Sequence, residues 1–167
     1  MLITDQYKKL NEDLHETNVH YGTCGHLYHE EITDLARNLQ TQDILDYGCG
    51  KSTLAMHIPF KIKQYDPAIL KYSLPPEPAD IVVCTDVLEH IEPDCLEDVL
   101  LHISALTKKL AYFVISTVEA KKILSDGRNA HLIVEDARFW LNKLWAAGFT
   151  VHTLITQDCN LKVVCTK

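Results

Sequence analysis

The sequence predicts an α/β fold, with three layers around a mostly parallel sheet and one antiparallel strand near the end of the chain. Three observations carry this expectation. From residue 43 onward, short apolar runs rich in β-branched residues alternate with amphipathic helical stretches, which is the pattern of βα units. Two strand-like runs at the end of the chain are joined by a short polar turn, which sets them antiparallel to each other. The first apolar run leads directly into a Gly-rich turn, at the carboxyl end of a strand where open α/β sheets bind ligands.

Two helical stripes precede the sheet. Tyr7, Leu10 and Leu14 share one helical face, as do Tyr28, Ile32, Leu35 and Leu39. A turn-like stretch from His20 to Gly25 separates them. Residues 1–39 therefore read as a helical segment or lid, and residues 40–167 as the core of a single domain. Ile44 to Tyr47 reads as the first strand, Ile62 to Tyr65 as the second and Ile81 to Thr85 as the third. Only 13 residues separate Asp66 from Asp80, too few for a helix and another strand, so one βα unit is expected to be reduced to a Pro-rich loop around Pro75, Pro76 and Pro78. Asp94 and Glu97 have the spacing to cap the next helix, whose Leu96, Val99, Leu100, Ile103 and Leu106 form its inner face. Leu110 to Ser116 follows as a strand. A helix from about Glu135 is expected to bury Trp140, Leu141 and Leu144 and to stop at Gly148. Thr150 to Thr156 and Leu161 to Thr166 are the closing pair.

Composition narrows the function. A chain of 167 residues, 47% hydrophobic, can build one domain with a sizeable core. The net charge of −7 argues against broad contact with nucleic acid or an anionic membrane, both of which want clustered Lys and Arg. Met1 to Leu10 hold no apolar core of a secretory signal, and no run approaches a membrane span. The six cysteines include no C-x-x-C pair. Reduced, mostly buried thiols in the cytoplasm are expected.

Three segments carry chemistry. In Asp46-Tyr47-Gly48-Cys49-Gly50-Lys51-Ser52, glycines at the bend let a ligand approach the backbone closely. Asp66 ends the second strand, twenty residues after Asp46, where a carboxylate can accept from both hydroxyls of a ribose. Asp80 to Ile91 is a hydrophobic strand running into Thr85-Asp86-Val87-Leu88-Glu89-His90, which opens toward a helix.

In order and spacing, Ile44 to Gly50, Tyr65-Asp66-Pro67 and Asp86 to Ile91 resemble the class I, Rossmann-like S-adenosylmethionine-dependent methyltransferases. The resemblance covers roughly residues 40–167. It implies S-adenosyl-L-methionine as cofactor, with Asp46, Gly48, Cys49 and Gly50 along its methionine part. It also implies that Asp66, followed by Pro67, holds the ribose, and that Thr85, Asp86 and Val87 lie under the sulfonium or adenine. In this family the segment before the first strand often closes over the cofactor, so Tyr21 either stacks there or simply packs on the core. The chain departs from the family in two places. The third glycine of the first motif is replaced by Ser52, and the shortened region after Asp66 removes the usual acidic contact to the adenine amino group.

Rival readings of the same residues are weaker. Gly50-Lys51-Ser52-Thr53 resembles the end of a phosphate-binding P-loop, but Leu45 stands where that motif needs its first glycine. A dinucleotide fingerprint fails at Thr53. His20, Cys24, His26 and His29 fit no usual zinc spacing, and no metal is expected.

The sulfonium methyl is already activated, so transfer needs an aligned acceptor in a dry pocket more than acid–base help. An oxygen or neutral nitrogen acceptor would still gain from a base. His131 is the candidate, in the polar stretch Ser125 to His131, where Arg128, with Asn129 beside it, could hold an anionic acceptor. Signatures of nucleic-acid methyltransferases are mostly missing: Leu74-Pro75-Pro76-Glu77 lacks the polar and aromatic ends of one, and no Pro-Cys pair occurs. A small-molecule or glycan-type acceptor is therefore expected. A catalytically silent methyltransferase-like subunit that binds the cofactor or only a partner, and a nucleic-acid methyltransferase, are the alternatives, and the N-terminal helices could form a homodimer interface.

Overall fold

In the computed structural model, which describes residues 1–167, the chain forms one six-stranded sheet with helices on both faces. The strands are β1 (Ile44–Tyr47), β2 (Lys63–Tyr65), β3 (Ala79–Thr85), β4 (Thr107–Ser116), β5 (Thr150–Gln157) and β6 (Asn160–Thr166). Their spatial order is β2-β1-β3-β4-β6-β5. The first four run parallel, whereas β6 is antiparallel to both β4 and β5. β2 forms one edge, and only a three-residue 3-10 turn, Leu70–Tyr72, and the proline loop connect it to β3.

Alternation along the strands sorts side chains into two cores. Ile81 and Val83 of β3, with Leu110, Tyr112 and Val114 of β4, face α2 (His29–Asn38) and α3 (Thr53–His57). Val82 and Cys84, with Ala111, Phe113 and Ile115, face α4 (Leu96–Leu106) and α5 (Ala137–Ala146) on the other side. Trp140 and Leu144 of α5 are fully buried there. Each such side chain contributes about 1.5–3 kcal/mol through burial. Leu141, expected among them, is only half-buried. The left-handed Gly148 (φ 87°) ends this helix, and Asp136 caps its start by accepting from the Phe139 N–H at 2.9 Å.

The Asp94–Glu97 cap does not form. Pro93 opens a 3-10 turn, Pro93–Cys95, that runs straight into α4, and Cys95 occupies the capping position with no side-chain bond. Proline at a helical first position sets the turn with its own fixed φ, which leaves Asp94 inside that turn and not before it. β4 starts three residues earlier than its apolar run, because Thr107 leaves α4 already extended, its hydroxyl donating to the Ile103 carbonyl at 2.8 Å. The cysteines are all free thiols, four of them buried. No helix is long and apolar enough to cross a membrane.

Candidate active site

The carboxyl ends of β1, β2 and β3 converge on one hollow. The turn after β1 is pinned to β2, since the Gly48 and Cys49 N–H groups both donate to the Tyr65 carbonyl at 2.7 and 3.0 Å. Gly48 has φ 78°, and a Cβ there would stand 2.4 Å from Val87 Cγ2. A Cβ on Gly50 (φ 50°) would meet the Gly22 carbonyl oxygen at 2.6 Å. Both positions need glycine for a close approach as well as for backbone conformation. Ser52 also takes a left-handed φ, 65°, which is the physical reason a glycine suits this position. Its hydroxyl meets the Gln64 amide, a contact no glycine could make. Lys51 turns away from the hollow and donates to the Asn18 carbonyl at 2.6 Å, so it is not placed as a P-loop lysine would be.

Asp66 lies deeper than a strand-end carboxylate exposed to solvent would. It is buried, and its oxygens accept from the Gly50 N–H at 3.1 Å and the Ala68 N–H at 3.0 Å. Burial raises its pKa, and these two backbone bonds oppose the rise. Asp46 is buried as well. Desolvation, then the neighbouring Asp66 carboxylate, push its pKa up to about 7.

Beyond β3 the backbone turns sharply at Asp86, which adopts φ 61° while its N–H donates to the Val114 carbonyl at 2.9 Å. The following 3-10 turn, Leu88–His90, drives Glu89 inward until it is fully buried. One Glu89 oxygen accepts from the Ser116 N–H at 2.8 Å, while the other has no partner. Burial and the Asp86 carboxylate hold its pKa well above the usual range. His90 donates from Nδ1 to the Ala130 carbonyl at 2.8 Å, and His131 from Nδ1 to the Val118 carbonyl at 2.6 Å. The two rings meet edge to face, 4.7 Å between centroids. A carbonyl can only accept, so each Nδ1 carries the proton and each Nε2 keeps its lone pair.

The N-terminal segment covers this hollow. Helix α1 (Asp5–Thr17) is capped by Thr4 and anchored by the Tyr7 hydroxyl, which donates to the His90 carbonyl at 2.6 Å. Tyr21 is buried, its hydroxyl donates to Asn11 at 2.9 Å, and its ring lies between His15 (4.7 Å) and His90 (5.8 Å). The Gly22 carbonyl accepts from the Lys51 N–H at 2.8 Å, which ties the segment to the glycine turn.

The cavity is about 390 Å³ and is lined by the glycine turn and by the His90–His131 pair. Tyr21, Gly48, Gly50, Asp66, Pro67, Asp86, Val87 and His131 all line it. Asp46, Cys49 and Thr85 line a small adjoining cleft instead. Arg128 and Asn129 line neither. Arg128 pairs with Asp126 at 2.7 Å and lies over the Tyr7 ring, and the Asn129 amide is bonded to both backbone groups of Ala120. The two residues expected to grip an anion are engaged in these contacts. They shape the loop that carries His131 but do not face the cavity. Glu89, His15 and Asn11 also belong to the site, although no motif in the sequence singles them out. An acid inside the apolar run Val87 to Ile91 was the available signal for Glu89. His26 and His29 are bonded to the Thr23 and His26 carbonyls within their own turn, at 2.7 and 2.8 Å.

A family model described as a methyltransferase domain matches residues 19–154, most of the chain. No curated protein matches the sequence. Among solved structures, the chain is similar to magnesium protoporphyrin IX methyltransferase from Synechocystis with bound S-adenosylhomocysteine. That match is at 11% identity, covering 96% of this chain and 99% of that one, with a TM-score of 0.69. It is also similar to 1,6-didemethyltoxoflavin-N1-methyltransferase from Burkholderia thailandensis, at 17% identity, 97% and 89% coverage and a TM-score of 0.66. Likeness at such identity speaks for a shared fold. The glycine turn, the acid ending β2 and the segment after β3 occupy one hollow of that fold, and with the matching family model they place this chain in the methyltransferase-domain family, among the S-adenosylmethionine-dependent methyltransferases.

Proposed function

We propose that this methyltransferase acts on an oxygen or neutral nitrogen of a small-molecule acceptor. The observation that carries the reading is one cavity lined both by the glycine turn and by His131. Its size suits a compact ligand, and with a net charge of −7 nothing favours a nucleic-acid strand. The two similar structures carry names of methyltransferases acting on small molecules, which agrees with this choice.

The residues fit the cofactor. Gly48 and Gly50, whose missing side chains let the turn pack against Val87 and Gly22, present bare backbone to the cavity. Asp66 keeps lone pairs free beyond its two backbone bonds and can accept from ribose hydroxyls. Asp46, which no protein donor reaches, offers a carboxylate to the cationic methionine end. When bound, the cofactor supplies an electrophilic methyl. The chain does the rest: the N-terminal segment, with Tyr21 and the helix before it, acts as a lid that excludes water, and the cavity walls align the acceptor. His131 Nε2 takes the acceptor's proton as its lone pair becomes a bond to carbon.

Asp46 makes cofactor binding pH-dependent. In the free protein its raised pKa of about 7 leaves it protonated below neutrality, whereas a cationic ligand favours the carboxylate. Binding then releases a proton, and affinity rises with pH until Asp46 is ionised. The expected gain is about tenfold from pH 6 to pH 8. Calorimetry in buffers of different ionisation heat reads both effects, and Asp46→Asn should abolish the proton release. A flat profile would remove Asp46 from the cofactor's charge.

The acceptor class is tested with S-adenosylmethionine labelled in its methyl group, offered with pooled small metabolites, glycans and nucleic acids. Label should enter a low-mass product. Label only in nucleic acid, or tight cofactor binding with no transfer to any pool, would overturn the reading, the second in favour of a silent subunit.

A further inference from the structure

We propose that Asp86, Glu89, His90 and His131 form a divalent-cation site at the acceptor end of the cavity, suited to a first-row ion such as Mn²⁺ or Zn²⁺. One donor atom from each residue lies within 4.8 Å of the others. Donors about 2.0–2.2 Å from a central ion sit up to about 4.4 Å apart across it, so a contraction of a few tenths of an ångström completes the shell. The chemistry of the set is as telling as its spacing. Both imidazoles spend Nδ1 on backbone carbonyls, those of Ala130 and Val118, which leaves Nε2 as the nitrogen each can offer to a cation. That is how protein folds orient histidines as metal ligands. The second Glu89 oxygen, fully buried, meets no donor at all. Two carboxyl groups and two imidazoles converging around a fully buried Glu89 make a costly arrangement that a bound cation relieves. Two nitrogens with two carboxylate oxygens favour ions that accept imidazole and oxygen together over Mg²⁺ or Ca²⁺, which prefer all-oxygen shells.

Three cluster residues line the cavity itself, so a bound ion faces the acceptor. The acceptor class that fits is an oxygen nucleophile with a second oxygen beside it, such as a vicinal dihydroxy or hydroxy-carboxylate group, able to grip the ion with both. This last step rests on the methyltransferase reading, whereas binding of the ion does not. It also reassigns His131, because a lone pair given to an ion is not available to a proton.

The test is uptake of Mn²⁺, followed by electron paramagnetic resonance, and of Zn²⁺, followed by competition with a chromophoric chelator, by the full chain stripped of metal. Saturable uptake of about one ion per chain is expected at micromolar concentration, in the range of single protein metal sites. Asp86→Asn, Glu89→Gln and His131→Asn should each weaken it at least tenfold. Asn tolerates the left-handed backbone of residue 86, and Gln keeps the acceptor for the Ser116 N–H, so these variants leave local bonding in place. S-adenosylhomocysteine binding is measured on the same samples. The proposal is overturned if the parent takes up neither ion, or if all three variants take them up as tightly as the parent. Should the ions bind while S-adenosylhomocysteine does not, the cation site stands and the methyltransferase reading falls.

Discussion

Asp66→Ala is expected to weaken cofactor binding and the fold together. Its two oxygens satisfy the Gly50 and Ala68 N–H groups in a buried setting. Each donor left without a partner costs about 1–3 kcal/mol. Loss of the charge-assisted bonds to the ribose adds about 1.5–3 kcal/mol to the binding free energy alone. Asp66→Asn, which keeps one acceptor oxygen and the side-chain volume, should retain most of the stability and recover only part of the affinity. Chemical denaturation and calorimetry with S-adenosylhomocysteine separate the two effects. An Ala variant as stable and as tightly binding as the parent would contradict both roles given to this side chain.

His131→Asn should lower turnover by at least the bottom of the 10²–10⁴ range typical of a positioned base, while leaving cofactor affinity nearly unchanged. The ring lines the cavity at the end away from the glycine turn, so its loss touches the acceptor side. The same drop is expected if His131 acts as a cation ligand, and metal uptake tells the two apart. A variant within a few-fold of the parent in turnover would return His131 to a structural role, holding the Val118 carbonyl and packing on His90.

Much of this architecture is legible in the sequence because the strands are short, apolar and bounded by turn residues. β1 matches its run residue for residue, and the missing βα unit follows from the chain length between Asp66 and Asp80. The cofactor end is legible for the same reason: the glycines, Asp66 and the Asp86 segment are consecutive in the turns that the strands deliver. The acceptor end is not. Glu89 and His131 stand far apart in the chain, and only the path of the loop before α5, tied by the Ile133 N–H to the Glu89 carbonyl, brings them together. Arg128 and Asn129 illustrate the converse, being close to His131 in sequence but turned outward by the bonds that shape the loop. The Asp94 cap failed because a proline one residue earlier imposed its own turn. The burial of Asp66 is not legible either, because nothing in the sequence shows that the Gly50 and Ala68 backbones close over it.

Titration of the full chain with S-adenosylmethionine, S-adenosylhomocysteine and ATP tests the central claim most directly. The residues that build the hollow predict saturable binding of the first two with micromolar affinity, about −8 kcal/mol, and no binding of ATP. Gly48→Ala serves as the internal control. Its added methyl lies 2.4 Å from Val87 Cγ2 in a left-handed backbone, so it should strongly weaken binding of both adenosyl ligands. Binding of ATP without either adenosyl compound would contradict the account and revive the phosphate-binding reading of Gly50-Lys51-Ser52.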